Sequence, residues 1–194
     1  MSAAKEVWDT ECVARLDQME RIHAAAGGTG RGRRWGTEQL NRSLFVALVG
    51  QFQVYCRELH DEAARVYLSQ ENPRQVRALQ TLLRQRRELD HRNPRRDALK
   101  NDFGRMGLQL IPVLQSRYAR ANEDLDRLEL LVGFRNAITH GNESEVRALV
   151  QRYGVRPTLG SYRTFRSTIN RLVGKLDAVV AAELADELGI LRPW

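Results

Sequence analysis

Cysteine is scarce, long apolar runs are missing, and the N-terminus has no apolar segment. Cys12 and Cys56 are the only cysteines of the 194-residue chain, which excludes a disulfide framework and a four-thiolate zinc site. The longest apolar run, residues 44–49, is far shorter than the ~20 residues of a membrane-spanning helix. Charged residues begin at Lys5, so no signal peptide is expected. These absences favour a soluble, cytoplasmic protein without a membrane segment.

Lysine is also rare, although the chain is strongly basic. The net charge is +7, and Lys5, Lys100 and Lys175 are the only lysines, so arginine supplies 28 of the 31 cationic side chains. The guanidinium group binds phosphates in a bidentate manner and stacks on bases, which favours nucleic acid as a partner. The alternative is a codon bias that replaces lysine by arginine without functional meaning.

No stretch alternates as a strand would, and apolar residues instead recur every three or four positions, as in amphipathic helices. The predicted fold class is all-α: an antiparallel helical bundle of four main helices plus short helices. We expect one compact domain, with an N-terminal helix and a Gly/Arg-rich loop in residues 1–36 and the main helical unit in residues 37–190. The spacing predicts helices over residues 3–26, 37–69, 73–90, 97–106, 122–140, 144–153 and 161–188, and leaves 107–121 ambiguous because a proline divides its apolar run.

One predicted helix carries chemically competent residues near its C-terminal end. Arg135 falls within the apolar stripe, where an unpaired charge is costly. Asn136 and His140 are four residues apart and therefore neighbours on the helix, so the amide of Asn136 is placed to orient the imidazole of His140. Arg135 and His140 differ by about 140° around the helix axis. They reach one point only if the helix unwinds before His140, as Gly141 permits, or if a second copy of the chain completes the site.

The Arg-Asn-x-x-x-His pattern of residues 135–140, at the end of an apolar helix and followed by glycine, resembles the signature of the HEPN superfamily. Members of this superfamily are all-α proteins of toxin–antitoxin modules, phage defence and RNA processing. The predicted helix over residues 44–59 and the Asn-Asp-Phe-Gly segment 101–104 are similar to the RiboL-PSP-type HEPN group, as is the layout of the 122–140 helix. The likeness covers roughly residues 40–185.

The resemblance implies a metal-independent endoribonuclease without a cofactor, whose two motifs face each other across a homodimer interface. A ribose 2′-hydroxyl would attack the adjacent phosphorus and leave a 2′,3′-cyclic phosphate and a free 5′-hydroxyl. In this chemistry His140 moves the proton, since histidine titrates near neutral pH. Arg135 stabilises charge on the phosphoryl oxygens, and Asn136 positions the histidine or the phosphate. Glu58, on the predicted second helix, is expected to pair with Arg135 and hold it.

The expected partners are RNA, a second copy of the chain, and an antitoxin or defence-system protein. One position departs from the toxin pattern: toxins paired with a nucleotidyltransferase antitoxin typically carry Tyr two residues after the histidine, where this chain has Asn142. This departure argues against control by tyrosine modification at the motif. Two other interpretations stay open. In the first, Arg135 and His140 have only a structural role at the C-terminal end of the helix, where positive charge is favourable. In the second, the chain is a catalytically inactive HEPN module that binds nucleic acid or a partner protein.

Further arginines are candidate RNA contacts, with a solvated surface as the alternative for each set. The segment 27–36 contributes Arg31, Arg33 and Arg34, and the predicted third helix contributes Arg84 and Arg87. No metal site is expected, because the remaining histidines do not have the spacing of zinc ligands. These histidines and the two cysteines are expected to have packing or surface roles, and the residues concerned are Cys12, His23, Cys56, His60 and His91.

Overall fold

The chain folds as an all-α helical bundle. A computed structural model describes residues 1–27 and 35–194, and the regular secondary structure of these residues is entirely helical. In chain order the elements are α1 (Ala3–Val7), a π-helical turn (Trp8–Cys12) that continues into α2 (Val13–Gly27), α3 (Trp35–Tyr67), a 3₁₀ turn (Leu68–Gln70), α4 (Pro73–Arg84), α5 (Glu88–His91), α6 (Arg96–Gly104), α7 (Leu110–Arg117), α8 (Ala121–Thr139), α9 (Glu143–Tyr153) and α10 (Leu159–Leu188).

The N-terminal helical segment runs antiparallel to α3. Near one end of the bundle the imidazole of His23 lies 2.8 Å from the side-chain oxygen of Asn41. Near the other end the backbone N–H of Ala3 donates to Glu62 at 3.0 Å. The start of the first segment therefore lies beside the end of α3, and its end lies beside the start of α3.

α8 and α10 are also antiparallel. Asp124, in the first turn of α8, pairs with Lys175 in the second half of α10 at 2.7 Å. Toward the other end, the ring of Phe45 on α3 lies 5.8 Å from that of Phe134 on α8 and 5.5 Å from that of Phe165 on α10. Such edge-to-face aromatic contacts are favourable beyond the apolar area that they bury. They bring the C-terminal part of α8 to the start of α10.

The N-terminal segment shares the core of the remaining helices. The ring of Trp8 is almost fully buried and packs edge-on against Phe52 and Tyr55 of α3. The backbone N–H of Ser2 donates to Asp177 on α10 at 3.1 Å, and the Ser2 hydroxyl bonds the same carboxylate. Residues 1–27 are therefore packed as part of the bundle.

The predicted helix over 73–90 is wrong in its C-terminal part, because α4 ends at Arg84. Arg86 has φ of 61°, a left-handed conformation that costs a non-glycine residue energy and interrupts a right-handed helix. Two distant side chains stabilise the break. The guanidinium of Arg105 donates to backbone carbonyls at the end of α4, and the carboxylate of Asp102 accepts the first two backbone N–H groups of α5 at 2.8 Å each.

The ambiguous stretch 107–121 contains a short helix, α7. Pro112 occupies its first turn, where the missing N–H breaks no intrahelical hydrogen bond. Leu110, Ile111 and Leu114 of this helix are buried in the core. In residues 1–27 and 35–194, none of the helices combines the length and the apolar character that crossing a membrane requires.

Candidate active site

α8 carries the Arg-Asn-x-x-x-His motif at the end of a firmly packed helix. In its first turn Asp124 is fully buried and accepts hydrogen bonds from Arg171 at 2.6 Å and Lys175 at 2.7 Å. Burial opposes the ionisation of this carboxyl, but the two cations outweigh it and lower its pKa. Because α8 is anchored at its start and along its length, the motif has a rigid base. The buried apolar side chains of α8 are Leu125, Leu128, Leu131, Val132, Phe134 and Ala137.

The C-terminal end of α8 is closed by a Schellman motif. Gly141 has φ of 63°, the left-handed conformation that glycine adopts without strain. Its N–H donates to the carbonyl of Ile138 at 3.1 Å, and the N–H of Asn142 donates to the carbonyl of Ala137 at 2.8 Å. The side chain of Asn142 then accepts the N–H of Glu145 at 3.1 Å and caps α9. The position that departs from the toxin pattern therefore has a structural role as a helix N-cap.

Arg135 and Asn136 are held together by a short chain of hydrogen bonds. Nη1 of Arg135 donates to Oδ1 of Asn136 at 3.2 Å, and Nδ2 of Asn93 donates to the same oxygen at 2.7 Å. Asn93 lies between α5 and α6, in a segment joined to α8 by a 2.9 Å hydrogen bond from the backbone N–H of Arg96 to Glu129. The Asn136 amide is thus directed toward Arg135 and Asn93, and its oxygen accepts no hydrogen bond from His140 within the chain.

Arg135 differs from the other shielded arginines in its lack of a carboxylate partner. Its side chain is half-buried, yet it forms no ion pair with any described residue. Every other buried or half-buried arginine of the described chain contacts an Asp or Glu side chain. A half-buried guanidinium without a counter-ion is suited to bind an anion such as a phosphate. The paired arginines are Arg42, Arg57, Arg87, Arg96, Arg127, Arg166 and Arg171.

His140 is exposed and is the C-cap residue of α8. Its backbone N–H still donates to the carbonyl of Asn136 at 3.0 Å, so the helix does not unwind before the histidine. No described residue forms a hydrogen bond with its imidazole. Arg135 and His140 therefore project from different faces of one helix, about 140° apart. The unwinding that would bring them to one phosphate within a single chain is not observed.

The expected pairing of Glu58 with Arg135 is wrong. Phe45 lies at the level of Phe134, the residue before Arg135. Glu58 is 13 residues farther along α3, which at 1.5 Å per residue is about 20 Å. Its side chain is exposed and forms no ion pair with a described residue. We therefore remove Glu58 from the candidate site.

Arg84 and Arg87, both predicted RNA contacts, have different surroundings. The Arg84 side chain is 60% exposed, although its Nε donates to Asp61 at 3.0 Å. The Arg87 side chain is only 7% exposed and is clamped between Asp61 and Asp90, each at 2.8 Å. A buried guanidinium whose two terminal nitrogens both contact carboxylates cannot reach a nucleic acid. The prediction of Arg87 as an RNA contact is therefore wrong. Its role is to hold the α4–α5 connection against α3.

The other predicted RNA contacts, Arg31, Arg33 and Arg34, lie outside the described residues, as does most of the segment 27–36. In the described part of the chain, no three His, Cys, Asp or Glu side chains form a group that would hold a metal ion. Both cysteines are buried in the core, as predicted. Burial raises the pKa of the Cys56 thiol well above its usual value, which leaves it an unreactive thiol.

Three histidines outside the motif have separate surroundings. His60 is fully buried, with its ring edge-on to Phe103 and Nδ1 3.4 Å from Arg87. His23 is buried against Asn41, whereas His91 is exposed at the end of α5. These are the predicted packing and surface positions.

Comparison of the chain with protein-family models, curated proteins and solved structures found no match. The HEPN resemblance therefore stays a prediction that rests on the motif and on the helical fold. The contact of Asn93 with Asn136 was missed by the sequence interpretation. No local pattern points to it, because the two residues are 43 positions apart in the chain.

Proposed function

We propose that the protein is a metal-independent endoribonuclease of the HEPN type, active as a homodimer and acting in a toxin–antitoxin or phage-defence system. The observation that carries the proposal is the state of Arg135, a half-buried guanidinium that is oriented by Asn136 and has no carboxylate partner among the described residues. An exposed histidine five residues farther along the chain supports it. The net charge of +7 favours association with a polyanion.

The chemistry needs a cation at the phosphate and a group that moves protons. The oxygen of the ribose 2′-hydroxyl forms a bond to phosphorus as its proton is taken up, and the bond from phosphorus to the 5′-oxygen breaks as that oxygen receives a proton. In a dimer with two facing motifs, the His140 of one protomer takes this first proton beside the Arg135 of the other and returns it to the leaving 5′-oxygen. Arg135 stabilises the charge that develops on the phosphoryl oxygens. The products are a 2′,3′-cyclic phosphate and a 5′-hydroxyl.

The test is cleavage of RNA by the purified protein in EDTA, with matched variants. We expect cleavage by the wild type and a loss of about 100-fold or more in His140→Ala and in Arg135→Ala. Two controls match these changes: His91→Ala removes another exposed histidine at a helix end, and Arg127→Ala removes a half-buried but paired arginine from the same helix. Intact RNA, equal cutting by all variants, or a requirement for magnesium would contradict the proposal.

The second candidate function is a catalytically inactive HEPN module that binds nucleic acid or a partner protein. It is favoured by the position of Asn136, whose oxygen accepts hydrogen bonds from Arg135 and Asn93. No described residue is left to orient the imidazole of His140 by a hydrogen bond. Binding of RNA that depends on Arg135 but leaves the RNA uncut at every concentration would support this function over the nuclease.

A further inference from the structure

A groove of about 710 Å³ lies next to the motif, between the start of α3, α9 and the loop that leads into α10. We call it the α3–α9 groove, and its polar lining includes Asn41, Arg42, Arg147, Arg156 and Thr158. Apolar side chains from α9 and the following loop complete it. The volume is within the range of roughly 300–1,000 Å³ that is typical of ligand sites. Neither Arg135 nor His140 lines this groove.

Two of the three arginines that line the α3–α9 groove form no ion pair with a described residue. Arg42 is bound by Glu143 and Glu38, which also line the groove, and its contact with Glu143 lowers the pKa of that carboxyl. Both acids contact Arg42, and the charge of Arg147 also lowers the pKa of Glu143. Arg147 and Arg156 are exposed and form no ion pair with any described residue. The groove thus presents two exposed guanidinium groups that no carboxylate of the described residues binds directly, and guanidinium is the side-chain group that binds phosphate best.

The groove begins close to the proposed catalytic residue. Glu143 on its rim is three residues beyond His140, so their Cα atoms are at most about 11 Å apart even along a fully extended chain. The Schellman motif and the Asn142 cap fix the connection between them. A strand of a few nucleotides is long enough to span the distance between His140 and this part of the groove.

The lining also provides groups for more than a phosphate. The side chains of Asn41, Gln151 and Thr158 carry hydrogen-bond donors and acceptors, and Val150 and Pro157 add apolar surface. A single nucleic-acid strand offers the complementary set, because its backbone is anionic, its base edges are polar and its base faces are apolar. A duplex hides its base faces in the stack and does not match this lining.

We propose that the α3–α9 groove binds the single-stranded segment of RNA that flanks the scissile phosphodiester, with Arg147 and Arg156 on its phosphates. This inference rests on the proposed nuclease function and extends it, since it gives the site an unpaired RNA as substrate and a subsite outside the motif. Arg42 shapes the groove by joining α3 to α9 through Glu143.

The test is binding of a fluorescent, short single-stranded DNA oligonucleotide, which presents phosphates but lacks the 2′-hydroxyl and so cannot be cleaved by the proposed chemistry. The groove variant is Arg147→Glu with Arg156→Glu. The control is Arg74→Glu with Arg77→Glu, which makes the same charge change at exposed, unpaired arginines of α4. We expect the groove variant to raise Kd about tenfold or more and the control to raise it less than about threefold. The slope of log affinity against log salt should fall by about 1.4 in the groove variant, at about 0.7 per lost phosphate contact.

Equal losses in the two variants, or unchanged affinity in the groove variant, would overturn the groove assignment, and circular dichroism verifies that both variants are folded. The outcome is separable from the nuclease test. If the wild type cleaves RNA and the groove variant binds the oligonucleotide with unchanged affinity, the nuclease proposal is supported and the groove proposal is excluded. If binding depends on the groove arginines but the wild type does not cleave RNA, the groove proposal is supported and the nuclease proposal is excluded.

Discussion

Nδ2 of Asn93 donates a 2.7 Å hydrogen bond to Oδ1 of Asn136, and this contact joins the α5–α6 segment to the residue beside Arg135. The same oxygen accepts the guanidinium of Arg135 at 3.2 Å. Without Asn93 the Asn136 amide is free to rotate, because the chain offers this oxygen no other side-chain donor than Arg135 among the described residues. Asn93 is therefore a positioning residue for Arg135.

Removal of the Asn93 side chain should reduce catalysis more than stability. We expect Asn93→Ala to lower kcat for RNA cleavage about tenfold at little-changed KM, while the free energy of unfolding falls by about 1 kcal/mol, the net contribution of one hydrogen bond. Asn93→Gln, which keeps an amide donor, should restore part of the kcat. Asn101→Ala, at an exposed asparagine that bonds Glu88, is the control. An unchanged kcat in Asn93→Ala would exclude a positioning role.

Arg135 and His140 from different protomers should complement each other. Because the two side chains project from different faces of α8, we expect the Arg135 of one protomer to act with the His140 of the other. Mixing inactive Arg135→Ala and His140→Ala proteins under conditions that exchange subunits should therefore restore cleavage, with one intact site in each mixed dimer. Activity that stays at the level of the separate variants, in a mixture shown to contain mixed dimers, would place both residues in one protomer's site or in none.

Arg87 should matter for stability and not for RNA. Its side chain is clamped by Asp61 and Asp90. Its removal breaks both ion pairs and leaves Asp61 with Arg84 and Asp90 with Arg57 as their remaining cations. We expect Arg87→Ala to lower the free energy of unfolding by about 2 kcal/mol, measured by urea denaturation. Arg84→Ala, at an exposed ion pair, should cost less than about 1 kcal/mol. Loss of RNA affinity in a fully stable Arg87→Ala protein would restore the RNA-binding assignment.

Asp61 should make stability depend on acid pH. Burial disfavours its charge, but His60, Arg84 and Arg87 more than compensate and lower its pKa from 3.8 to about 2. Its carboxylate therefore contributes stability above the unfolded-state pKa, and this contribution is lost as the pH falls from about 4 to about 2. The gap in unfolding free energy between wild type and Asp61→Asn should be about 2 kcal/mol near neutral pH and should shrink over that interval. A gap that is constant down to the lowest pH would contradict the assignment.

The helices of the bundle could be predicted from the sequence because their signals are local. The three-to-four spacing of apolar residues places α3, α8 and α10, and Gly141 and Gly154 mark the ends of α8 and α9 by adopting positive φ. The end of α4 could not be predicted, since Arg86 carries no sequence signal for its left-handed conformation and the groups that stabilise the break, Arg105 and Asp102, are distant in the chain.

The candidate site was predictable only in part, for the same reason. The spacing of Arg135, Asn136 and His140 is visible in the sequence, whereas the contact between Asn93 and Asn136 arises from packing of the α5–α6 segment on α8. The predicted pairing of Glu58 with Arg135 was wrong because the sequence does not show which residues of α3 lie beside which residues of α8. The full pairing of Arg87 likewise depends on Asp61, 26 residues earlier.

The most direct measurement is the chemistry of the 3′ ends left on RNA after incubation with the protein in EDTA. We expect 2′,3′-cyclic phosphate ends with 5′-hydroxyl partners, formed by wild type and by His91→Ala, and absent with His140→Ala and Arg135→Ala. Ends with a 3′-hydroxyl, or cyclic phosphate ends formed equally by the His140→Ala protein, would contradict the assignment of Arg135 and His140 as the catalytic pair.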